Sequence, residues 1–256
     1  MSLLHIKNLT HYFGGLCAVD DFNLELESGE LLGIIGPNGS GKTTVFNLIT
    51  GVYRPTRGSI RFRDREISVT RPSDITMLGI ARTFQNIRLF NNLSVLDNVR
   101  IAHFGRALYN PLEAIFHIGR YQPEEERITD HSLDLLDRFG MADHAETDAK
   151  NLPYGMQRRL EIVRGLATNP SLLCLDEPAA GMNPSEIQKL MDFIQRIRKE
   201  FSLTILLIEH QMRLVMGICE RLKVLDFGAT IAEGAPDEIR ANPKVLEAYL
   251  GEEVKE

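Results

Sequence analysis

The 256-residue sequence has few cysteines, no long apolar run and no excess of positive charge, and each of these absences removes a class of protein. Cys17, Cys174 and Cys219 are an odd number without metal-ligand spacing, and Cys174 lies inside an apolar run. They read as reduced structural thiols, not as a disulfide or zinc framework. The longest apolar runs, around 31–35, 172–175 and 203–208, fall far short of the roughly 18 to 20 residues that a membrane-spanning helix takes. No bilayer span is expected. The first residues, Met1-Ser2-Leu3-Leu4-His5-Ile6-Lys7, lack a basic region, a long apolar stretch and a small-residue cleavage site, so no export signal is expected. A formal net charge of −6 disfavours bulk nucleic-acid binding, which takes a cationic surface to displace counterions. No nucleic-acid partner is expected.

What remains is the composition of an ordinary globular protein, with 43% hydrophobic and 25% charged residues. Residues 3–27 alternate apolar and polar positions through Leu4, Ile6, Leu9 and then Phe22, Leu24, Leu26, which predicts strands of a half-buried antiparallel sheet, continued by 58–63. By contrast, 31–35, 172–175, 203–208 and 222–225 are continuous apolar runs, as in strands covered on both faces by crossover helices. Helical patterning fills much of 93–101, 124–139, 155–168, 184–200 and 235–249, with Pro184 and Pro236 suited to first helical turns. Residues 104–127, rich in glycine, proline and aromatics and ending in an acidic run, read as an insertion or long loop, and 251–256 as a solvated tail.

Gly36-Pro37-Asn38-Gly39-Ser40-Gly41-Lys42-Thr43 fits G-x-x-x-x-G-K-[ST] between a buried strand and a helix expected near Thr43. In such a loop the glycines let successive backbone N–H groups turn toward a phosphate, and the helix N-terminus adds a favourable dipole. Lys42 reaches the outer phosphates, and Thr43 offers a hydroxyl to Mg²⁺. A phosphate loop alone leaves kinases, GTPases and motor ATPases open. A second motif narrows the choice: the apolar run 172–175 ends in Asp176-Glu177, where an Asp holds Mg²⁺ through water and the next Glu polarises an attacking water. The bland alternative is that these acids cap the following helix.

Taken in order, the motifs from residue 3 to residue 250 resemble the ATP-binding cassette (ABC) family. Phe13, before Gly14-Gly15, matches the aromatic position that stacks on adenine, with Tyr12 as the alternative. Residues Gly36 to Thr43, with Thr44 following, match the phosphate loop, and Gln85 in Arg82-Thr83-Phe84-Gln85-Asn86 matches the glutamine that senses Mg²⁺ and the nucleophilic water. Leu152-Pro153-Tyr154-Gly155-Met156-Gln157 matches the signature segment, Ala180-Gly181-Met182-Asn183 the dimer-contact loop, and His210 the switch histidine. The resemblance implies ATP and Mg²⁺ as cofactors, Glu177, His210 and Gln85 as catalytic residues, and Thr43, Gln85 and Asp176 around the metal. It also implies an α/β fold with a P-loop NTPase (RecA-like) core at 1–86 and 161–256, an antiparallel β subdomain, and a helical signature subdomain at 87–160.

The signature departs from the common L-S-G-G-Q form, because Pro153 supplies neither hydroxyl nor N–H, Tyr154 replaces a glycine, and Met156 replaces the glutamine. Gly155 and the helix start remain for contact with the nucleotide of an opposite subunit. The form L-x-Y-G-x-Q-R-R-L-E-I, together with Glu177 to Pro184, the insertion 104–127 and Tyr249-Leu250-Gly251, resembles the branched-chain (hydrophobic) amino-acid uptake branch. Urea or short-amide importers share much of this pattern. The resemblance implies membrane-spanning permease subunits, a second ATP-binding subunit in a homo- or heterodimer, indirectly a solute-binding protein, and a peripheral place on the cytoplasmic side of the inner (cell) membrane. Two other readings stay open: a non-transport ABC ATPase, and a P-loop kinase or GTPase acting on a small substrate.

Overall fold

The computed structural model describes residues 2–253, and side chains as far as Tyr249. It divides into two compact units, one made of 1–85 and 171–256 and the other of 86–170. In the first unit, strands β1 (Ser2–Phe13) and β2 (Leu16–Glu27) form an antiparallel pair, extended on the β1 side by β4 (Arg57–Phe62) and β5 (Arg65–Glu66). Val19, Phe22, Leu24 and Leu26 of β2 are buried while the residues between the last three are exposed, which is the period-two pattern of a sheet with one wet face.

The second sheet of this unit has the order β10-β9-β3-β8-β7-β6. Its members are β3 (Leu31–Ile35), β6 (Ile80–Arg82), β7 (Leu172–Asp176), β8 (Thr204–Ile208), β9 (Arg221–Asp226) and β10 (Ala229–Gly234). The pairs β3–β8, β3–β9, β6–β7 and β7–β8 are parallel, and β10 closes one edge antiparallel to β9. Every residue of β3, β7 and β8 is buried, which explains their unbroken apolar sequence. Helix α1 (Lys42–Ile49) joins the two sheets: its Val45, Phe46, Leu48 and Ile49 share one buried cluster with Phe22 and Leu24 on one side and Ile34, Leu206 and Ile208 on the other. Helices α2 (Pro72–Leu78), α7 (Pro184–Glu200), α8 (Met212–Ile218), α9 (Pro236–Arg240) and α10 (Pro243–Glu253) complete the unit. Pro184 and Pro236 open α7 and α9, as their fixed φ favours.

The second unit is helical, with α3 (Val95–His103), α4 (Pro111–Phe116), α5 (Tyr121–Arg138) and α6 (Tyr154–Ala167). Ser94 caps α3 by accepting from the Asp97 N–H at 3.0 Å, and Val95, Val99, Ile128, Leu135, Leu136, Leu160 and Val163 are buried.

Four sequence expectations change. Residues 104–127 are largely helical, not a long loop, because Asn110 and Glu113 build a capping box on α4 and α5 already starts at Tyr121. The pattern over 235–249 is two helices, since Pro243 begins a new one after the turn at Ala241 and Asn242. The helical unit ends at Pro170, not at 160, because α6 runs unbroken to Ala167. Of the expected tail, Gly251 to Glu253 belong to α10, and 254–256 lie outside the described residues.

Candidate functional site

The phosphate loop starts where β3 ends. Gly36 has φ +147°, and a Cβ there would lie 2.0 Å from the Leu225 carbonyl oxygen on β9, so the loop leaves the sheet at a point only glycine fits. Gly39, at φ +77°, has nothing within 4 Å of where its Cβ would stand and leaves that side of the loop open. The Ser40 N–H donates to the Pro37 carbonyl at 3.2 Å and closes the turn. Lys42, only 6% exposed, folds its ammonium into the loop, donating to the Gly36 carbonyl (2.8 Å), the Pro37 carbonyl (2.6 Å) and Ser40 Oγ (3.3 Å). A buried ammonium takes oxygen partners because desolvating it without them is costly. Phosphate oxygens, carrying full charge, are stronger acceptors for the same group. Gly41 is the N-cap of α1 and offers no capping side chain, and a helix start of this kind suits an anion.

Beside this loop lies a cleft of about 530 Å³ lined by Phe13, Asn38, Gly39, Gly41, Lys42, Thr43, Thr44, Gln85 and Glu177, with Leu16, Cys17, Ala18 and Phe227. Phe13, not Tyr12, faces it. The Phe13 ring is held edge-on by His11 (centroids 4.6 Å apart) and by Tyr53 (5.2 Å), and those two rings stack on each other at 5.5 Å. Thr43 is exposed at the helix start.

The two acids at the end of β7 have different surroundings. Asp176 is buried, and its Oδ2 accepts from Arg82 Nη2 at 2.7 Å. Arg82 Nη1 also donates to Asn47 Oδ1 (2.7 Å) and Thr50 Oγ1 (3.1 Å), and its guanidinium lies over the Phe84 and Phe46 rings. Neither acid caps the next helix: Asn183 does, its side chain accepting from the Ser185 and Glu186 N–H groups at 3.0 Å. Glu177 stands at φ +45°, in the left-handed region that costs a non-glycine residue about 1 to 3 kcal/mol. Its N–H donates to the Ile208 carbonyl at 2.9 Å, which pins the end of β7 to the end of β8. Glu177 Oε2 then accepts from Gln85 Nε2 at 2.8 Å and lies 3.7 Å from His210 Nδ1. Gln85, Glu177 and His210, far apart in sequence, therefore meet at one carboxylate.

The signature segment opens α6 in the helical unit. Pro153 is the N-cap residue, and its carbonyl accepts from the Met156 (2.9 Å) and Gln157 (3.0 Å) N–H groups, while no side chain caps the helix. Around Gly155 a Cβ would meet nothing within 4 Å, so this turn presents bare backbone. Behind it Arg158 and Glu161 form a fully buried ion pair at 2.9 Å, and Glu161 Oε1 accepts from the Arg88 N–H at 3.2 Å. Arg82, Glu209 and Phe227 were not among the sequence candidates. Arg82 and Glu209 lie inside the motifs that the sequence offers, next to residues with more familiar roles.

A family model described as ABC transporter matches residues 19–180. The chain belongs to the ABC transporter family. A second model, described as branched-chain amino acid ATP-binding cassette transporter, matches residues 229–255. The chain is 44% identical over 250 residues to the high-affinity branched-chain amino acid transport ATP-binding protein LivG of Escherichia coli, with 98% of each chain covered. It is 43% identical over 250 residues to BraF of Pseudomonas aeruginosa, which carries the same description, again with 98% of each covered. Among solved structures it is similar to the ADP conformation of MJ1267, an ATP-binding cassette of an ABC transporter, with TM-score 0.86, 31% identity, and 98% and 99% of the two chains covered. A nucleotide-free ATP-binding cassette from an ABC transporter gives TM-score 0.85 at 30% identity, covering 97% and 99%. The ABC chain is thus a nucleotide-binding ATPase subunit of a transporter, with the fold of a P-loop NTPase. Among the described residues no helix is long and apolar enough to cross a membrane. An ATP-binding subunit of a transporter complex implies membrane permease partners.

Proposed function

We propose that this ATPase powers an importer for branched-chain or other hydrophobic amino acids, using ATP with Mg²⁺ from the cytoplasmic side of the cell membrane, paired with a second ATP-binding subunit. The convergence of Gln85, Glu177 and His210 beside the Lys42 cleft carries the catalytic part of this reading. The names of the relatives and the match at 229–255 support the solute class.

Phe13 offers its face to the base, the loop N–H groups and Lys42 hold the phosphates, and Glu177 accepts a proton from the attacking water. Gln85 fixes the Glu177 carboxylate in direction, and His210 stands 3.7 Å from the same carboxylate oxygen. Among the described residues no three His, Cys, Asp or Glu side chains gather into a preformed metal cluster. That fits Mg²⁺, which keeps water and phosphate oxygens as ligands and takes few from protein. Thr43, Asp176 and Gln85 are the residues that would hold it. When bound, the ion supplies charge neutralisation at the phosphates. On this reading ATP favours the closed subunit pair, with the turn around Gly155 of one chain meeting the nucleotide of the other, and hydrolysis releases it.

Glu177→Gln is the test of the catalytic reading: nucleotide affinity stays near wild type while hydrolysis falls roughly 10²- to 10⁴-fold. Wild-type turnover in this variant refutes it. For the solute, the chain co-purified with its membrane subunits and placed in vesicles is expected to drive uptake of leucine, whereas uptake of urea or short amides alone refutes that part.

A further inference from the structure

β8 ends at Ile208, and the residue that follows it is a carboxylate with 0% of its surface exposed. Glu209 is surrounded by backbone donors. Its Oε1 accepts from the Ala179 N–H at 2.7 Å, and its Oε2 accepts from the His210 N–H at 3.0 Å and the Gln211 N–H at 3.1 Å. Ala179 lies two residues after Glu177, and His210 is the residue facing Glu177 at 3.7 Å. The two oxygens of one side chain thus hold the two loops that carry the catalytic pair.

Loops leaving neighbouring strands need no carboxylate to pack, and an apolar side chain would avoid the desolvation that pushes the Glu209 carboxyl up. The three N–H bonds partly offset that cost by favouring the charged form. Local bonds extend the tie in both directions. The Ala180 N–H donates to the Glu177 carbonyl at 3.2 Å and the Met182 N–H to the Ala179 carbonyl at 3.1 Å, so the segment from Glu177 to the Asn183 cap is one hydrogen-bonded turn. On the other side, the Gln211 carbonyl accepts from Leu214 at 3.0 Å and leads into α8.

We propose that Glu209 is a positioning residue that makes the loop after Asp176 and the loop carrying His210 move as one body, so that Glu177 and His210 reach the nucleotide in register. This rests on the reading of Glu177 and His210 given above, and it adds a residue that does not line the Lys42 cleft. Because the phosphate loop is not tied to Glu209, ground-state nucleotide binding is expected to be spared.

The experiment compares Glu209→Ala, Glu209→Gln and Glu177→Gln in the full-length chain, by steady-state ATPase kinetics, affinity for a fluorescent ATP analogue, and amide hydrogen exchange. Glu209→Ala is expected to lower kcat by about 10- to 100-fold, as loss of two or three charge-assisted bonds implies, with KM and affinity changed less than about threefold. Exchange should rise together in 177–183 and 208–214 and not elsewhere. Glu209→Gln keeps one accepting oxygen and the side-chain volume, and should fall between wild type and Glu209→Ala in kcat. A wild-type kcat in either Glu209→Gln or Glu209→Ala overturns the proposal, as does a loss of affinity that matches the loss of kcat, or faster exchange in only one of the two segments. If the alanine variant does not fold, the glutamine variant decides, and an unchanged kcat there is fatal to the idea. An inactive Glu177→Gln beside a fully active Glu209→Gln removes the positioning role alone. An active Glu177→Gln removes the underlying assignment as well.

Discussion

Asp176 and Arg82 form an ion pair whose side chains are 4% and 7% exposed, and the surroundings of that pair decide what each residue is worth. Removing one member of a buried pair leaves an uncompensated charge, typically costing 3 to 5 kcal/mol, more than a surface pair contributes. Arg82→Met is therefore expected to destabilise the first unit by about 3 to 5 kcal/mol, and adding Asp176→Asn should recover part of the loss. Denaturant unfolding of the single and double variants checks this, and additive losses would mean that the pair is not coupled. Such pairs explain what was legible in the sequence at this scale. The phosphate loop is written in consecutive residues and shows itself at once. Arg82 and Glu209 act through partners at 176 and 179, and nothing local in the sequence states those contacts. Glu177 carries no sign of its left-handed backbone either, because glutamate is not a residue that advertises positive φ.

Among the elements, α3 and α5 of the helical unit carry a feature that responds to acid. His103 on α3 is buried against His131 on α5, with Nε2 of the first 3.3 Å from Nδ1 of the second. Burial, then the charge of His131 and that of Arg127, push the His103 imidazole down to about 4 from its ordinary 6.5. A proton that binds the unfolded chain more tightly than the folded one destabilises the fold as pH drops. The contribution is intact above pH 6.5 and is lost as pH falls toward about 4. His103→Leu should flatten the fall in melting temperature across that window. Circular dichroism suits the measurement, since the chain has no tryptophan, and an unchanged acid slope would rule out His103 as its source. Element boundaries were legible where burial is periodic, as in α7, and obscure where it is not. Helix α4 is only six residues long and buries none of them, so Leu112, Ile115 and Phe116 make too short a stripe to set it apart from loop.

For the whole molecule, the pairing proposed above makes the altered signature a determinant of how strongly two subunits close. Pro153 at the α6 N-cap has no hydroxyl and no N–H, so the turn offers its partner only the backbone around Gly155 and the helix start. Pro153→Ser restores one hydroxyl and one N–H, worth about 1 to 3 kcal/mol together if they meet a phosphate. In a Glu177→Gln background, which retains ATP, Pro153→Ser is expected to dimerise more tightly, as sedimentation with ATP and Mg²⁺ would show. Equal or weaker association would mean that the rigid φ of proline already favours closure by lowering the entropy lost. The order of motifs made the ABC fold legible from end to end, while the division at 85/86 and 170/171 depends on which helices pack together and is not spelled out in any motif.

The Lys42 ammonium has three oxygens of its own loop within reach, those of Gly36, Pro37 and Ser40. On the proposed reading of the site, a cation with these oxygens beside it would not be stranded when a phosphate partner departs, and no bare charge would be left behind to slow the product's escape. The same loop would then serve the end of the cycle as well as its beginning.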